Sequence, residues 1–172
     1  MADTEYTDAI MLLRADHDEV KGLFDEFENS DDGDKKKRIA EQICNELKIH
    51  ALIEEEIFYP AFRGVLEDDM LDEAVVEHDG AKLLINDIME CVQANDTVFE
   101  AKVKVLSEQI EHHVEEEEMP HEGMFAKCRD SDVDLKALLQ PMLLRKDELT
   151  KQAESEGLPP AKMSEVQPEA AH

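Results

Sequence analysis

Four apolar stripes of helical period constrain this chain more than any other feature of its sequence. The first runs through Ile10, Leu13, His17, Val20, Phe24 and Phe27 at spacings of 3, 4, 3, 4 and 3, which is one face of an amphipathic helix. After the loop Ser30-Asp31-Asp32-Gly33-Asp34, the second follows Ile39, Ile43, Leu47, His50, Ile53, Ile57 and Ala61 from about Lys35 to Arg63, where Pro60 and Gly64 kink or close it. The third, roughly Glu67 to Ala94, carries Leu71, Ala74, His78, Ala81, Ile85, Ile88 and Val92, and Asn95-Asp96-Thr97 then offers a turn and a helix cap. The fourth, from about Thr97 to Met119, places Val103, Leu106, Ile110, His113 and Glu117 at spacings of 3, 4, 3 and 4, before Pro120 and Gly123 disturb it. Four long helices joined by short loops predict an all-α fold, an up-down-up-down four-helix bundle. A fifth stretch, Asp134 to Leu149 with Pro141 interrupting it, predicts an extra C-terminal helix on the outside or end of the bundle. Residues 1–150 are thus expected to form one domain, and 151–172, rich in Pro, Glu and Ala without a stripe, a disordered tail.

Charge narrows the functional classes. The chain of 172 residues has 18 Lys+Arg against 44 Asp+Glu, a net charge of −26, and that field repels polyanions, so neither nucleic acid nor an anionic membrane is an expected partner. No run of about 18 apolar residues occurs, and the opening Met1-Ala2-Asp3-Thr4-Glu5 has neither a basic nor an apolar leader region, so the expectation is a soluble cytoplasmic protein. Cys44, Cys91 and Cys128 are too few and too scattered for a disulfide framework. Lys35-Lys36-Lys37-Arg38 reads as a solvated helix start. No Gly-rich phosphate loop, GxSxG elbow or Cys-His dyad is present.

The informative residues are the histidines. His17, His50, His78 and His113 each fall in the apolar stripe of a different helix, so four helices each turn one imidazole inward. Two of these stripes carry a glutamate one turn on, Glu54 after His50 and Glu117 after His113, and the i,i+4 spacing puts each pair on one helix face. An unpaired carboxylate inside an apolar stripe costs several kcal/mol or neutralises, and a bound metal ion removes that penalty. An internal repeat points the same way. Asp16-His17-Asp18-Glu19-Val20-Lys21-Gly22-Leu23 echoes Glu77-His78-Asp79-Gly80-Ala81-Lys82-Leu83-Leu84, and the HxxxE histidines follow 33 and 35 residues later. Two helical hairpins, each offering one histidine and one His-Glu pair, make a pseudo-symmetric cage for two metals or for one held between the halves. Imidazole and carboxylate donors suit iron, manganese or zinc, and two carboxylates able to bridge favour a metal pair, with iron preferred over manganese or zinc. His112 points off the stripe and reads as a surface residue, His121 is a spare candidate ligand, and Phe58 and Tyr59 wall the site. The runs Glu54-Glu55-Glu56 and Glu115 to Glu118 read otherwise as solvated faces.

The ordered pieces His17, His50-Ala-Leu-Ile-Glu54-Glu-Glu-Ile-Phe-Tyr-Pro60, His78 and Glu111-His-His113-Val-Glu-Glu-Glu117-Glu-Met resemble the hemerythrin-like (HHE cation-binding) domain family, over about residues 8 to 150. The resemblance implies a di-iron centre in which His17, His50, His78 and His113 are terminal ligands and Glu54 and Glu117 bridge. Two positions depart from the oxygen-carrying hemerythrins: Lys82 stands where they have a second third-helix histidine, and Glu117 rather than an aspartate one residue later continues the stripe. The function expected is that of a non-haem di-iron protein binding O2, peroxide or nitric oxide for sensing, storage or protection. A peroxide-decomposing, catalase-like di-iron enzyme and a metal-independent helical interaction module are the alternatives.

Overall fold

A computed structural model describes residues 5–91 and 98–165. The main helices are α1 (Ala9–Glu28), α2 (Gly33–Ile53), α4 (Asp68–Cys91) and α5 (Phe99–Glu118), with a π-helical turn at Glu54–Phe58 and a short turn α3 (Tyr59–Ala61) continuing α2. The shorter α6 (Met124–Asp130) and the C-terminal α7 (Leu135–Ser155) complete the helices of the described residues, among which no strand occurs. Side chains start several helices by satisfying open amides: the Asp8 carboxylate accepts from Met11 N–H, Asp32 from Asp34 and Lys35 N–H, and Asp134 from Lys136 and Ala137 N–H. The turn and cap expected at Asn95-Asp96-Thr97 lie outside the described residues.

The helical hairpins α1–α2 and α4–α5 face each other, with α2 against α4 and α1 against α5, as an up-down-up-down bundle requires. Apolar stripes bury themselves in two separate clusters. One gathers Val20, Phe27, Ile43, Leu47, Ile85 and Leu106. The other gathers Leu13, Ile53, Phe62, Leu71, Ala74 and Phe125. Along each of the first three stripes the histidine stands where one cluster gives way to the other: His17 between Leu13 and Val20, His50 between Leu47 and Ile53, His78 between Ala74 and Ala81. A polar layer thus crosses the bundle between two apolar ones. Phe62, fully buried beside Phe58 at 5.0 Å between ring centroids, anchors the second cluster. Phe62→Ala is expected to cost about 3–5 kcal/mol in urea denaturation, and a loss below about 1 kcal/mol would show that this end of the bundle collapses to fill the space.

Three features differ from the sequence expectation. Pro141 lies inside α7, which runs on past it, because the ring forfeits one backbone bond while the helix still packs on α1 and α2. Met124–Asp130 forms a helix that no stripe announced. Gly123 permits its fold-back, since a Cβ there would lie 2.5 Å from the Met119 carbonyl oxygen. The segment expected as a disordered tail from residue 151 is helical to Ser155, and residues 156–165 then run as an extended strap against α2 and α4. Ala161 N–H donates to Asn86 Oδ1 at 2.8 Å, Asn86 Nδ2 donates back to the Ala161 carbonyl at 3.0 Å, and Ser164 N–H donates to Asp79 at 3.0 Å. Pro159-Pro160 makes this ordering cheap, because proline leaves little backbone entropy to lose.

Candidate metal centre

All six residues singled out from the sequence meet in the polar layer. His17, His50, Glu54, His78, His113 and Glu117 are all buried, Glu54 completely. Their donor atoms form two groups. His17 Nε2 lies 3.2 Å from His50 Nε2 and 3.3 Å from Glu117 Oε2. His78 Nε2 lies 3.1 Å from His113 Nε2. Glu54 Oε1 reaches across both groups, at 2.9 Å from His50 Nε2 and 3.3 Å from His78 Nε2. Glu117 does the same with its two oxygens, Oε1 at 3.0 Å from His113 and Oε2 on the His17 side.

The π-helical turn explains part of this geometry. Tyr59 N–H donates to the Glu54 carbonyl five residues back, the widened π pattern, just before Pro60, whose ring is incompatible with ordinary helix stacking. Widening the turn points Glu54, Phe58 and Tyr59 inward together. The Tyr59 hydroxyl donates to Glu117 Oε1 at 2.7 Å and lies 3.4 Å from His78 Nε2, and its ring stacks on His78 at 5.6 Å. On the other half Phe125 of α6 stacks on His17 at 5.8 Å and 9°. One half of the cage therefore holds a phenol where the other holds a phenyl ring.

Each imidazole is also held from behind. His50 Nδ1 pairs with Asp16 at 3.0 Å and His113 Nδ1 with Glu77 at 3.0 Å, within their own hairpins. His78 Nδ1 pairs with Glu55 at 3.0 Å and His17 Nδ1 with Glu118 at 3.2 Å, across the two hairpins. Asp16 and Glu77 precede the first histidine of each hairpin, and Glu55 and Glu118 follow the inward glutamates, so the ring keeps the two-fold pattern of the repeat. A carboxylate on Nδ1 fixes the tautomer that leaves Nε2 facing the cage. Glu55 and Glu118 are thereby corrected from solvated face to positioning residues, and the acidic position beside each ligand in the repeat was the signal for the ring. Lys82 pairs with Glu55 at 2.8 Å and Asp79 at 3.3 Å, so the position of the absent imidazole braces the outer ring. Lys146 of α7 pairs with Asp16. His112 is surface-exposed, 3.1 Å from Glu116. His121 is exposed in the turn after α5, with a left-handed φ of 68°, and does not join the cage.

Charge inside the cage is strongly biased. Burial opposes the imidazolium of His50, but Glu54 and Asp16 overcome it and hold its pKa up at about 10. His113 is also held well above its ordinary value against burial, by Glu117 and Glu77, and His17 and His78 are raised too. Burial favours neutral Glu117, yet His113 and His17 keep its pKa well below the carboxylate range. Burial and the neighbouring Glu117 push the Tyr59 phenol well above its ordinary value, so it stays a proton donor.

The donor set fits a metal. Both oxygens of Glu54 and Oε2 of Glu117 are buried without a hydrogen-bond partner among the described residues, although imidazole nitrogens lie within ion-pair reach. Nitrogen and oxygen ligands at about 2.1 Å from one metal and at right angles stand about 3.0 Å apart, and the inter-donor distances here are 2.9 to 3.3 Å. Buried groups Glu54-His78-His113-Glu117 and His17-His50-Glu117 each bring their donor atoms within 4.8 Å of one another.

The family of the hemerythrin HHE cation binding domain matches residues 8–126. This chain belongs to that family. The solved structure of a hemerythrin HHE cation binding domain-containing protein from Mycobacterium kansasii shares the fold at a TM-score of 0.69 and 19% identity, covering 89% of this chain and 96% of that one. A protein named DNA nickase from Nostoc sp. (strain PCC 7120 / SAG 25.82 / UTEX 2576) is 30% identical over 120 residues, 70% of this chain. The chain spans about one third, 33%, of the length of that curated relative. In this HHE domain the buried cluster is a potential metal-ligand set, and α7 with its strap extends beyond the matched residues. No helix among the described residues is long and apolar enough to cross a membrane.

Proposed function

We propose that this HHE domain is a non-haem di-iron protein that binds O2 or a related small oxidant, peroxide or nitric oxide, for sensing, storage or protection. The observation that carries this reading is the six-donor cage in which both oxygens of Glu54 and Oε2 of Glu117 are buried without a hydrogen bond among the described residues. His17 and His50 would hold one iron, His78 and His113 the other, with Glu54 and Glu117 shared between them. Iron there supplies an electron-exchanging Lewis acid. The chain itself supplies a pocket with largely aliphatic walls, four imidazoles fixed by outer carboxylates and, at Tyr59, a proton donor on one half only. The Tyr59 hydroxyl favours the peroxide-decomposing enzyme as a second reading, since a proton held beside the ligands can serve a departing oxygen.

The surplus of acids, −26 overall, draws divalent cations toward the cage. The same charge opposes DNA as a partner, so the activity in the Nostoc protein's name is not carried to this chain, and no membrane partner is proposed. A reducing, cytoplasmic setting fits the buried thiols Cys44 and Cys128, which carry no disulfide.

The decisive experiment is anaerobic reconstitution with Fe(II), metal analysis after gel filtration, and absorption spectra before and after admitting air. About two irons per chain and a new near-ultraviolet and visible absorption in air are expected. Protein that retains no iron, with helicity and melting temperature indifferent to the metal, would instead establish the metal-independent interaction module.

A further inference from the structure

The cage opens onto a cavity far larger than a diatomic needs. From the four imidazoles a space of about 320 Å³ extends to the strap residues Leu158–Lys162. A water molecule takes up about 30 Å³, and O2, nitric oxide and peroxide are of similar size. The cavity therefore has room for about ten non-hydrogen atoms, within the lower range of small-molecule sites. Its walls are largely aliphatic, with Val20, Leu47, Ala81, Ile85, Ile110 and Leu158 among them.

One buried charged group breaks that apolar lining without a counter-charge. Lys48 lines the cavity and is only 6% exposed. Its ammonium donates to the Pro159 carbonyl of the strap at 3.2 Å, and no carboxylate among the described residues lies within ion-pair distance of it. In a chain with 44 acids this is conspicuous, and the other buried lysine at the cavity, Lys82, is held by both Glu55 and Asp79. An ammonium has three donors, so two remain for a ligand, and burying a cation without an anion is unfavourable. The strap closes over both the ammonium and the apolar space, tied down by the paired hydrogen bonds between Ala161 and Asn86.

We propose that this cavity is a binding site for a medium-chain aliphatic carboxylate, its head on Lys48 and its alkyl chain along the apolar walls beside the imidazoles. An anionic head supplies the missing counter-charge, and a tail of about eight carbons fills the remaining volume. The site is built from residues of the chain alone and stands whether or not the cage carries iron.

Isothermal titration of the metal-loaded full-length chain with octanoate, acetate and 1-octanol tests this. Octanoate is expected to bind with a Kd on the order of 100 µM, at least about tenfold more tightly than acetate. Lys48→Met should weaken octanoate at least about tenfold and leave 1-octanol within about twofold, whereas Lys48→Arg, which keeps the charge, should retain octanoate. Ala81→Phe, which fills the cavity, should abolish binding of both long ligands, and unchanged helicity in each variant separates lost binding from lost fold. Octanoate that binds no better than acetate places the carboxylate elsewhere and overturns the proposal, as does octanoate affinity unchanged in Lys48→Met.

Discussion

Glu54→Gln is expected to reduce retained iron from about two ions per chain to one or none, with the affinity of any remaining ion weakened more than about 100-fold. The size of the effect follows from position. Glu54 Oε1 lies 2.9 Å from His50 Nε2 and 3.3 Å from His78 Nε2, so a single side chain serves both halves of the cage. Glutamine keeps the shape but removes the charge and turns one acceptor into a donor, which cannot face a cation. Asp16→Asn acts through His50 instead, and replacing such a supporting group ordinarily weakens a metal about 10- to 100-fold while leaving the ligand in place. Asp16→Asn should therefore keep the stoichiometry and lose affinity, and Glu54→Gln should lose the stoichiometry itself. Metal analysis after equilibrium with a competing chelator reads both. Two tightly held irons in Glu54→Gln would remove Glu54 from the ligand set and with it the proposed sharing between the two metals.

The bundle and the cage were legible because both obey simple periodicities. A stripe repeating at 3 and 4 places His17, His50, His78 and His113 inward wherever the helices pack, and i,i+4 spacing brings Glu54 and Glu117 with them. What periodicity does not encode is the non-local part. The pairing of Glu55 with His78 and of Glu118 with His17 crosses between hairpins and depends on how they dock. Tyr59 reaches Glu117 only because a π-helical turn inserts itself before Pro60, and an ideal helix would have aimed the phenol elsewhere. The strap shows a different blindness. Leu158 to Ser164 has no stripe because it makes no helix, and its order comes from Asn86, Lys48 and Asp79, single side chains that satisfy its backbone. Composition alone reads such a segment as a tail. His112 and His121 illustrate the converse, for proximity in sequence to His113 gave neither a place in the cage.

Metal uptake should release protons, and the metal-free protein should be most stable in mildly acidic solution. The imidazoles are the reason for both. His50 is held up at about 10 by Glu54 and Asp16 against burial, and His113 well above its ordinary value by Glu117 and Glu77. His17 and His78 are raised as well. At neutral pH the metal-free cage thus holds imidazolium where a metal requires a bare Nε2, and each ion must displace those protons. Titration calorimetry in two buffers of different ionisation enthalpy at pH 7 should report protons released on filling the cage, with His50 and His113 the principal sources, and affinity should climb as pH rises. A group whose folded pKa is raised stabilises fully below its unfolded value of 6.5, and this contribution drains away as pH climbs through the folded value of about 10. Glu117, held well below its unfolded value of 4.5, stabilises above that value and loses its contribution on acidification. The two windows overlap between 4.5 and 6.5, where urea denaturation of the metal-free chain should find its maximum. Loading the cage should move that maximum upward, because a metal takes over the neutralisation of Glu54 and Glu117 that protonated imidazoles provide in its absence. A metal-free stability that rises steadily from pH 6.5 to 9, with no protons released on metal binding, would mean that the imidazoles are neutral before any metal arrives.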